Sequence, residues 1–395
     1  MKKLALVVQR YGLEVNGGAE LHARQLTEHL ARYYDMEVLT TKAIDYVTWK
    51  NEYTEDVEQI NGITVRRFGV DKKRNESKFS RLSSQVIGVP HTDELEEEWF
   101  DAQGPFCPSL IDYIEEHADD YDAFVFMTYL YYTTVRGLPK VKDKAVLIPT
   151  AHDEPPIYLN YFNRLFKMPK GIFYNTVEEK KFIEQKFNNA DIINNDGFGG
   201  VGVEVPDTID ADSFKKERGI SHYMVYVGRI DEAKGCRQLF EYFDRYKKEN
   251  SDKADFKLVL MGKPIIEIPK RDDIISLGFV SDQVKFNVIA GSDFLVMPSQ
   301  FESLSMVVLE ALSLKVPVLV NGRCLVLKGH CTHGNAGLYY RSYYEFAGCI
   351  NYYLSHDKER KLIGESGYKY VNDNYRWDVI VQRFCDMIEK ITGMN

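Results

Sequence analysis

The chain has 395 residues, 44% of them hydrophobic and 28% charged, with a formal net charge of −9. That acidic balance excludes a general nucleic-acid binder, and nothing approaches the run of about 18 apolar residues that a spanning helix needs. The length predicts two domains, and six scattered cysteines (Cys107, Cys236, Cys324, Cys331, Cys349, Cys385) fit a reducing, cytoplasmic setting rather than a disulfide scaffold.

Leu4–Val8 is an apolar run ended by Gln9-Arg10, too early for a signal peptide, and is expected as the first strand. A turn carrying Asn16-Gly17-Gly18-Ala19-Glu20 follows. Ala19, Ala23, Leu26 and Leu30 then share one helical face. Glu37–Thr41 starts the next strand, and Ile60–Phe68 alternates about Asn61-Gly62 as a hairpin or edge strand. Residues 71–103 run from basic (Lys72, Lys73, Arg74, Lys78, Arg81) to acidic (Glu94, Glu96, Glu97, Glu98) and are expected as helix and mobile loop. Pro108 suits a helix start, with Leu110, Ile111 and Ile114 on its apolar face. Ala123–Met127 and Ala145–Pro149 read as strands, and Thr176 and Glu179 as a capping box. Asp191–Ile193 closes the first half, and Gly199–Ser213 reads as a linker.

The alternation then restarts with strand Tyr223–Val227, a helix to about Lys248, strands Lys257–Met261 and Ile274–Phe279, and helix Asp282–Ala290. Phe294–Met297 and Val316–Val320 are short apolar runs expected as buried parallel strands. Between them Ser303 or Ser305 can cap a helix bearing Val307, Ala311 and Leu314. Residues from Tyr343 to Ile391 read as wholly helical. Two successive strand–helix alternations imply an α/β protein of two doubly wound domains, over residues 1–203 and 204–374, followed by a terminal helix over 375–395.

Several residue patterns carry chemistry. Glu310 lies beside an apolar stripe, where a carboxylate without a partner is costly to bury. A ligand diol supplies donors to such a group, and the helix N-terminus offers N–H groups to an anion. Arg229 and Lys234, in VGRIDEAKG just after a strand, can neutralise a diphosphate leaving group without a metal, against the plainer reading of surface ion pairs with Asp231 and Glu232. His152 follows the strand Ala145–Pro149, at the carboxyl end where open α/β sheets bind ligands. Gly17-Gly18 lets a backbone approach a phosphate or simply makes a turn, while Glu20 suits the helix dipole. Cys324, His330, Cys331 and His333 match no usual zinc spacing and read as a turn. Tyr129, Tyr131 and Tyr132 read as packing at a strand end, with acceptor stacking as the alternative.

The pair Glu302 and Glu310, seven residues between them, after Pro298-Ser299 and preceded by Gly228-Arg229 and Lys234-Gly235, resembles the paired-glutamate signature of retaining glycosyltransferases of family 4. Gly278-Phe279-Val280-Ser281 matches as well. The resemblance covers the second half well; in the first it rests on the glycine loop, His152 and the strand order. It implies the GT-B fold, two Rossmann-like domains facing a cleft, with the last helices crossing back to the first. It implies an acceptor-side domain over 1–203 and a nucleotide-sugar domain over 204–374. Arg229, Lys234, His152 and Glu302 are the catalytic set it implies. Gly17, Gly18, Gly228, Phe279, Val280, Leu304, Ser305 and Glu310 are the donor-binding set, with no metal or other cofactor. Two positions depart from the pattern. Ser303-Leu304-Ser305 stands where relatives commonly have Gly-Phe-Gly, and Met261-Gly262-Lys263-Pro264 is poorer in glycine.

The expected partners are a nucleotide-sugar donor and a glycan or lipid-linked glycan acceptor, in the manner of surface polysaccharide synthesis, and no nucleic acid. The basic run at 72–81 is either a solvated loop or a peripheral contact with the inner face of a membrane. A nucleotide-sugar epimerase of the same fold and a non-catalytic binding module remain as alternatives. A nicotinamide dehydrogenase is disfavoured because Gly-x-Gly-x-x-Gly does not follow the first strand.

Overall fold

Apolar runs without alternation, such as LALV and FVFM, bury both faces, which in an α/β chain requires helices on both sides of a parallel sheet. The computed structural model describes residues 1–15, 17–253 and 255–393; Asn16, placed by the sequence in the glycine turn, lies outside them. The chain divides into two units: Met1–Val201 with Trp377–Asn395, and Gly202–Arg376.

The first unit holds β1 (Lys3–Val7), β2 (Asp35–Thr41), β3 (Val57–Ile60), β4 (Ile63–Phe68), β5 (Ala123–Met127), β6 (Ala145–Ile148), β7 (Gly171–Ile172) and β8 (Ile193–Asn194). They form one sheet in the order β3-β4-β2-β1-β5-β6-β7-β8. Only β3 and β4 are antiparallel, paired through the turn at Asn61-Gly62. Every residue of β5 and β6 is buried. The sheet order reverses between β1 and β5, which makes that edge the unit's topological switch point. Helix Trp377–Thr392 belongs to this unit. The Trp377 ring stacks on His29 at 3.9 Å, and Arg383 donates to the Phe198 carbonyl at 2.7 Å.

The second unit holds β9 (His222–Val227), β10 (Phe256–Met261), β11 (Ile274–Ser276), β12 (Phe294–Met297), β13 (Val318–Asn321) and β14 (Gly337–Tyr340). Their order is β11-β10-β9-β12-β13-β14, with all pairs parallel. Here the switch point lies between β9 and β12. The helix Met306–Ser313 buries Val308, Leu309, Ala311 and Leu312, each of the larger chains worth about 1.5–3 kcal/mol.

Several local expectations change. Residues 71–103 contain two helices, Glu76–Val86 and Asp93–Gln103. Arg74 of the basic run is held by the Gln103 carbonyl at 2.5 Å and lies over the Trp49 and Phe79 rings. Leu325–Gly334 is a helix rather than a turn, because His330 packs inside and bonds the Leu304 carbonyl (2.7 Å) and Tyr370 hydroxyl (3.1 Å). Thr176 caps its helix, but the Glu179 carboxylate does not return to it. That carboxylate accepts from the Asn175 and Ala151 amides instead. The strand expected from Val316 starts at Val318. The 343–391 stretch is three helices, broken at His356 and between Asn374 and Trp377.

Candidate functional site

In the second unit the signature residues gather at the carboxyl ends of the strands flanking the switch point. Leaving β9, the chain turns at Gly228, whose φ of 146° disfavours a side chain. A Cβ on Gly262, at the end of β10, would lie 2.0 Å from the Gly228 carbonyl oxygen. The Gly262 amide in turn donates to the Gly278 carbonyl at 2.8 Å. Three glycine turns from three neighbouring strands therefore touch through backbone alone. Phe279, next in line, is 84% exposed.

Arg229 pairs with Asp231, and the other Asp231 oxygen accepts the Lys234 amide at 2.7 Å. One buried carboxylate thus shapes the loop that carries both cations. Gly235 closes the loop at φ 75°, where a Cβ would sit 2.6 Å from the Pro298 carbonyl. That close approach seats the β9 loop against the β12 loop. Across it, Lys234 Nζ meets Glu302 Oε1 at 2.6 Å.

Ser305 stands at the N-cap position of Met306–Ser313 but makes no capping bond. Its φ of 63° is left-handed, its hydroxyl is buried, and the hydroxyl has no hydrogen-bond partner among the described residues. Leu304 beside it is buried, with its carbonyl held by His330.

Glu310 has a protein partner that the sequence did not disclose. Lys285, on the helix Asp282–Gly291, donates to Glu310 Oε1 at 2.9 Å and lies 3.0 Å from Asp282. Burial raises the Glu310 carboxyl above the usual carboxylate range, against the opposing charge of Lys285. Burial works against the Lys285 ammonium too, yet the carboxylates of Glu310 and Asp282 leave it raised. No motif spacing points to Lys285, because its partner is 25 residues away on another helix.

In the first unit, Gly17 and Gly18 follow β1 at that unit's switch point. The Gly17 φ of 167° is ordinary extended backbone, but a Cβ there would lie 2.0 Å from Glu20 Oε2. Glu20 is not merely a dipole partner. It is buried, accepting from Gln9 at 2.9 Å and from Arg10 at 2.5 and 3.0 Å. Gly18 has open space around its Cβ position.

His152 follows β6, with Nε2 3.4 Å from Glu154 Oε2. Glu154 accepts the Tyr129 hydroxyl at 2.7 Å, and the Tyr129 ring packs edge-on against Phe162, so this tyrosine is core. The backbone before His152 is held by Glu179 Oε1, which accepts the Ala151 amide at 2.5 Å. Full burial pushes the Glu179 carboxyl up to about 8.

Residues 209–370 match the family model described as Glycosyl transferases group 1. That segment contains Arg229, Lys234, Lys285, Glu302 and Glu310. An uncharacterized glycosyltransferase of Methanocaldococcus jannaschii is 25% identical over 184 residues, covering 43% of this chain and 46% of that protein. The chain thus matches less than half the length of that curated relative. Sucrose-phosphate synthase from Thermosynechococcus elongatus superposes at a TM-score of 0.72 with 14% identity, covering 100% of both chains. Trehalose 6-phosphate synthase from Burkholderia multivorans superposes at 0.72 with 11% identity, again covering both chains fully. Anabaena HepE in complex with UDP and glucose superposes at 0.67 with 14% identity, covering 99% of this chain and 100% of that one. These likenesses show the fold: two α/β units with parallel sheets, of GT-B type.

Proposed function

We propose that the protein is a retaining glycosyltransferase taking a hexose-type sugar from a nucleotide diphosphate donor. The observation that carries this reading is the Lys234–Glu302 contact at 2.6 Å, which joins the loops of β9 and β12 at the switch point. Arg229 and Lys234 place two cations where a diphosphate would leave, and Glu302 places a carboxylate where sugar hydroxyls can donate. Glu310 is assigned to the ribose, and the turns at Gly228, Gly262 and Gly278 put no side chain between the backbone and the base and phosphates. The group 1 match spans this set of residues, and HepE, of the same fold, holds UDP and glucose.

In this reaction the acceptor hydroxyl oxygen bonds the sugar anomeric carbon while the bond from that carbon to the phosphate oxygen breaks. The acceptor proton passes to the leaving phosphate oxygen on the same face, so no covalent nucleophile is assigned. Arg229 and Lys234 stabilise the charge that develops on the nucleoside diphosphate, and no metal is assigned to that task. His152 and Gly17-Gly18 belong to the acceptor-side unit in this reading, His152 as a contact to the transferred sugar. A glycan or lipid-linked glycan is the proposed acceptor class, and surface polysaccharide synthesis at the cytoplasmic face of a membrane the proposed setting.

The test is a thermal-shift panel of UDP, GDP, ADP and dTDP with their glucose and mannose forms, each with EDTA present, followed by donor turnover assays. One nucleotide series should raise the melting temperature by mass action, and Arg229→Ala should abolish the shift. A folded protein that responds to none of them would sink the transferase reading.

A further inference from the structure

Arg10–Glu20 sits inside the first unit, with 7% of each side chain exposed, and Arg10 also donates to the Ile44 carbonyl. Lys285–Glu310 differs in three respects. Its two members stand on separate helices, both of which start at loops of the candidate donor site. Neither member is fully covered, with 18% and 15% of each side chain exposed. The bonding is one-sided: Lys285 takes Oε1, and Oε2 accepts from no described residue.

A carboxylate kept at 15% exposure with one oxygen uncommitted is costly unless something else donates to it. In the adjoining loop the Leu304 side chain carries no donor, and the Ser305 hydroxyl, though buried, makes no bond to it. We propose that Lys285 is the specificity-determining partner of Glu310, locking Oε1 so that Oε2 is aimed at a vicinal diol, and so selecting ribonucleotide over deoxyribonucleotide donors. Lys285 is a positioning residue here, acting through Glu310 rather than on the reacting atoms. The inference rests on the donor-site reading above and adds to it the group that makes the ribose contact selective.

A site that hydrogen-bonds a hydroxyl discriminates strongly against the analogue lacking it, because its own buried group is then left unpaired. The experiment measures dissociation constants of UDP, GDP and ADP, each beside its 2′,3′-dideoxy form. It compares the wild-type chain with Lys285→Met, Lys285→Arg, Glu310→Gln and the double variant Lys285→Met/Glu310→Gln. The wild type should favour the ribo form of its preferred base by about tenfold or more. Lys285→Met should reduce that preference to under about threefold while leaving dideoxy affinity within about twofold, and Lys285→Arg should retain most of it. In the Glu310→Gln background, Lys285→Met should change nothing further, and this double variant removes both charges should the single one fail to fold. Full ribo preference in Lys285→Met, or equal loss for both sugar forms, overturns the assignment to Lys285. A wild type that binds nucleotide without ribo preference overturns it as well. Failure of the wild type to bind any nucleotide overturns the donor-site reading itself, and this inference with it.

Discussion

Lys234 Nζ and Glu302 Oε1 lie 2.6 Å apart although 68 residues separate them, because β9 and β12 are neighbours in the sheet and their loops leave from the same edge. Both side chains retain exposure, 32% and 14%, so the pair is worth little as a stabilising ion pair. Its value is positional. Lys234→Ala is expected to lower donor turnover by about 10²–10³-fold, the cost of losing one preorganised electrostatic group, with the melting temperature almost unchanged. Lys234→Ala/Glu302→Gln should lose less than the product of the single effects, since the two act as a unit. Full multiplicativity of the two rate losses would show that they act separately.

Gly17 and Gly18 are adjacent but should respond differently to alanine. At Gly17 the new Cβ would meet the Glu20 carboxylate, itself held by Arg10 and Gln9, so Gly17→Ala should destabilise the first unit by about 1–3 kcal/mol. At Gly18, the first residue of its helix, a Cβ meets nothing, and alanine should be neutral or slightly stabilising. Chemical denaturation of the two variants side by side checks this, and equal destabilisation would contradict it.

Ser305 combines a left-handed backbone with a buried hydroxyl that bonds nothing described. Both features cost free energy, about 1 kcal/mol or more each. Ser305→Gly removes both and should raise the melting temperature by about 1–4 °C. Ser305→Ala removes only the hydroxyl and should give a smaller gain. A lower melting temperature for the glycine variant would mean that the hydroxyl has a stabilising role in the free protein.

Glu179 supplies a pH dependence whose sign can be worked out. Its folded carboxyl is pushed up to about 8 by burial, above the ordinary carboxylate value. Between those values the folded state holds a proton that the unfolded state has released. Unfolding free energy therefore falls as pH rises through this window, by at most ~1.4 kcal/mol per pH unit. The contribution is fully present below about pH 4 and gone above about pH 8. Glu179→Gln should flatten this slope when denaturation midpoints are compared at pH 5, 6.5 and 8. An unchanged slope would show that the Ala151 and Asn175 amides keep the carboxylate ionised.

The fold class was legible because its signal is local. Unbroken apolar runs as short as those of β5 and β12, bounded by turn residues, suit buried strands, and their alternation with helical periodicity leaves few topologies. The helix starts at Pro108 and Thr176 were readable for the same reason, since a cap acts over three or four residues. Strands β7 and β14 carry no such signal: β7 is two residues long, and β14 (GLYY) is mostly half-buried or exposed rather than an unbroken apolar run.

The chain's own letters determined two doubly wound units, the switch-point loops after β1 and β9, and the chemical types present there: two cations, two carboxylates and bare glycine turns. Only the tertiary structure decided who meets whom. Lys285 with Glu310, Lys234 with Glu302, Glu179 with the Ala151 amide and His330 with the Leu304 carbonyl all join residues 25 or more apart in sequence. Such pairings depend on which strands lie side by side and how helices seat on them, and no periodicity in a single segment encodes that. A buried carboxylate announces only that it needs a partner; the packing of a second element chooses which one it gets.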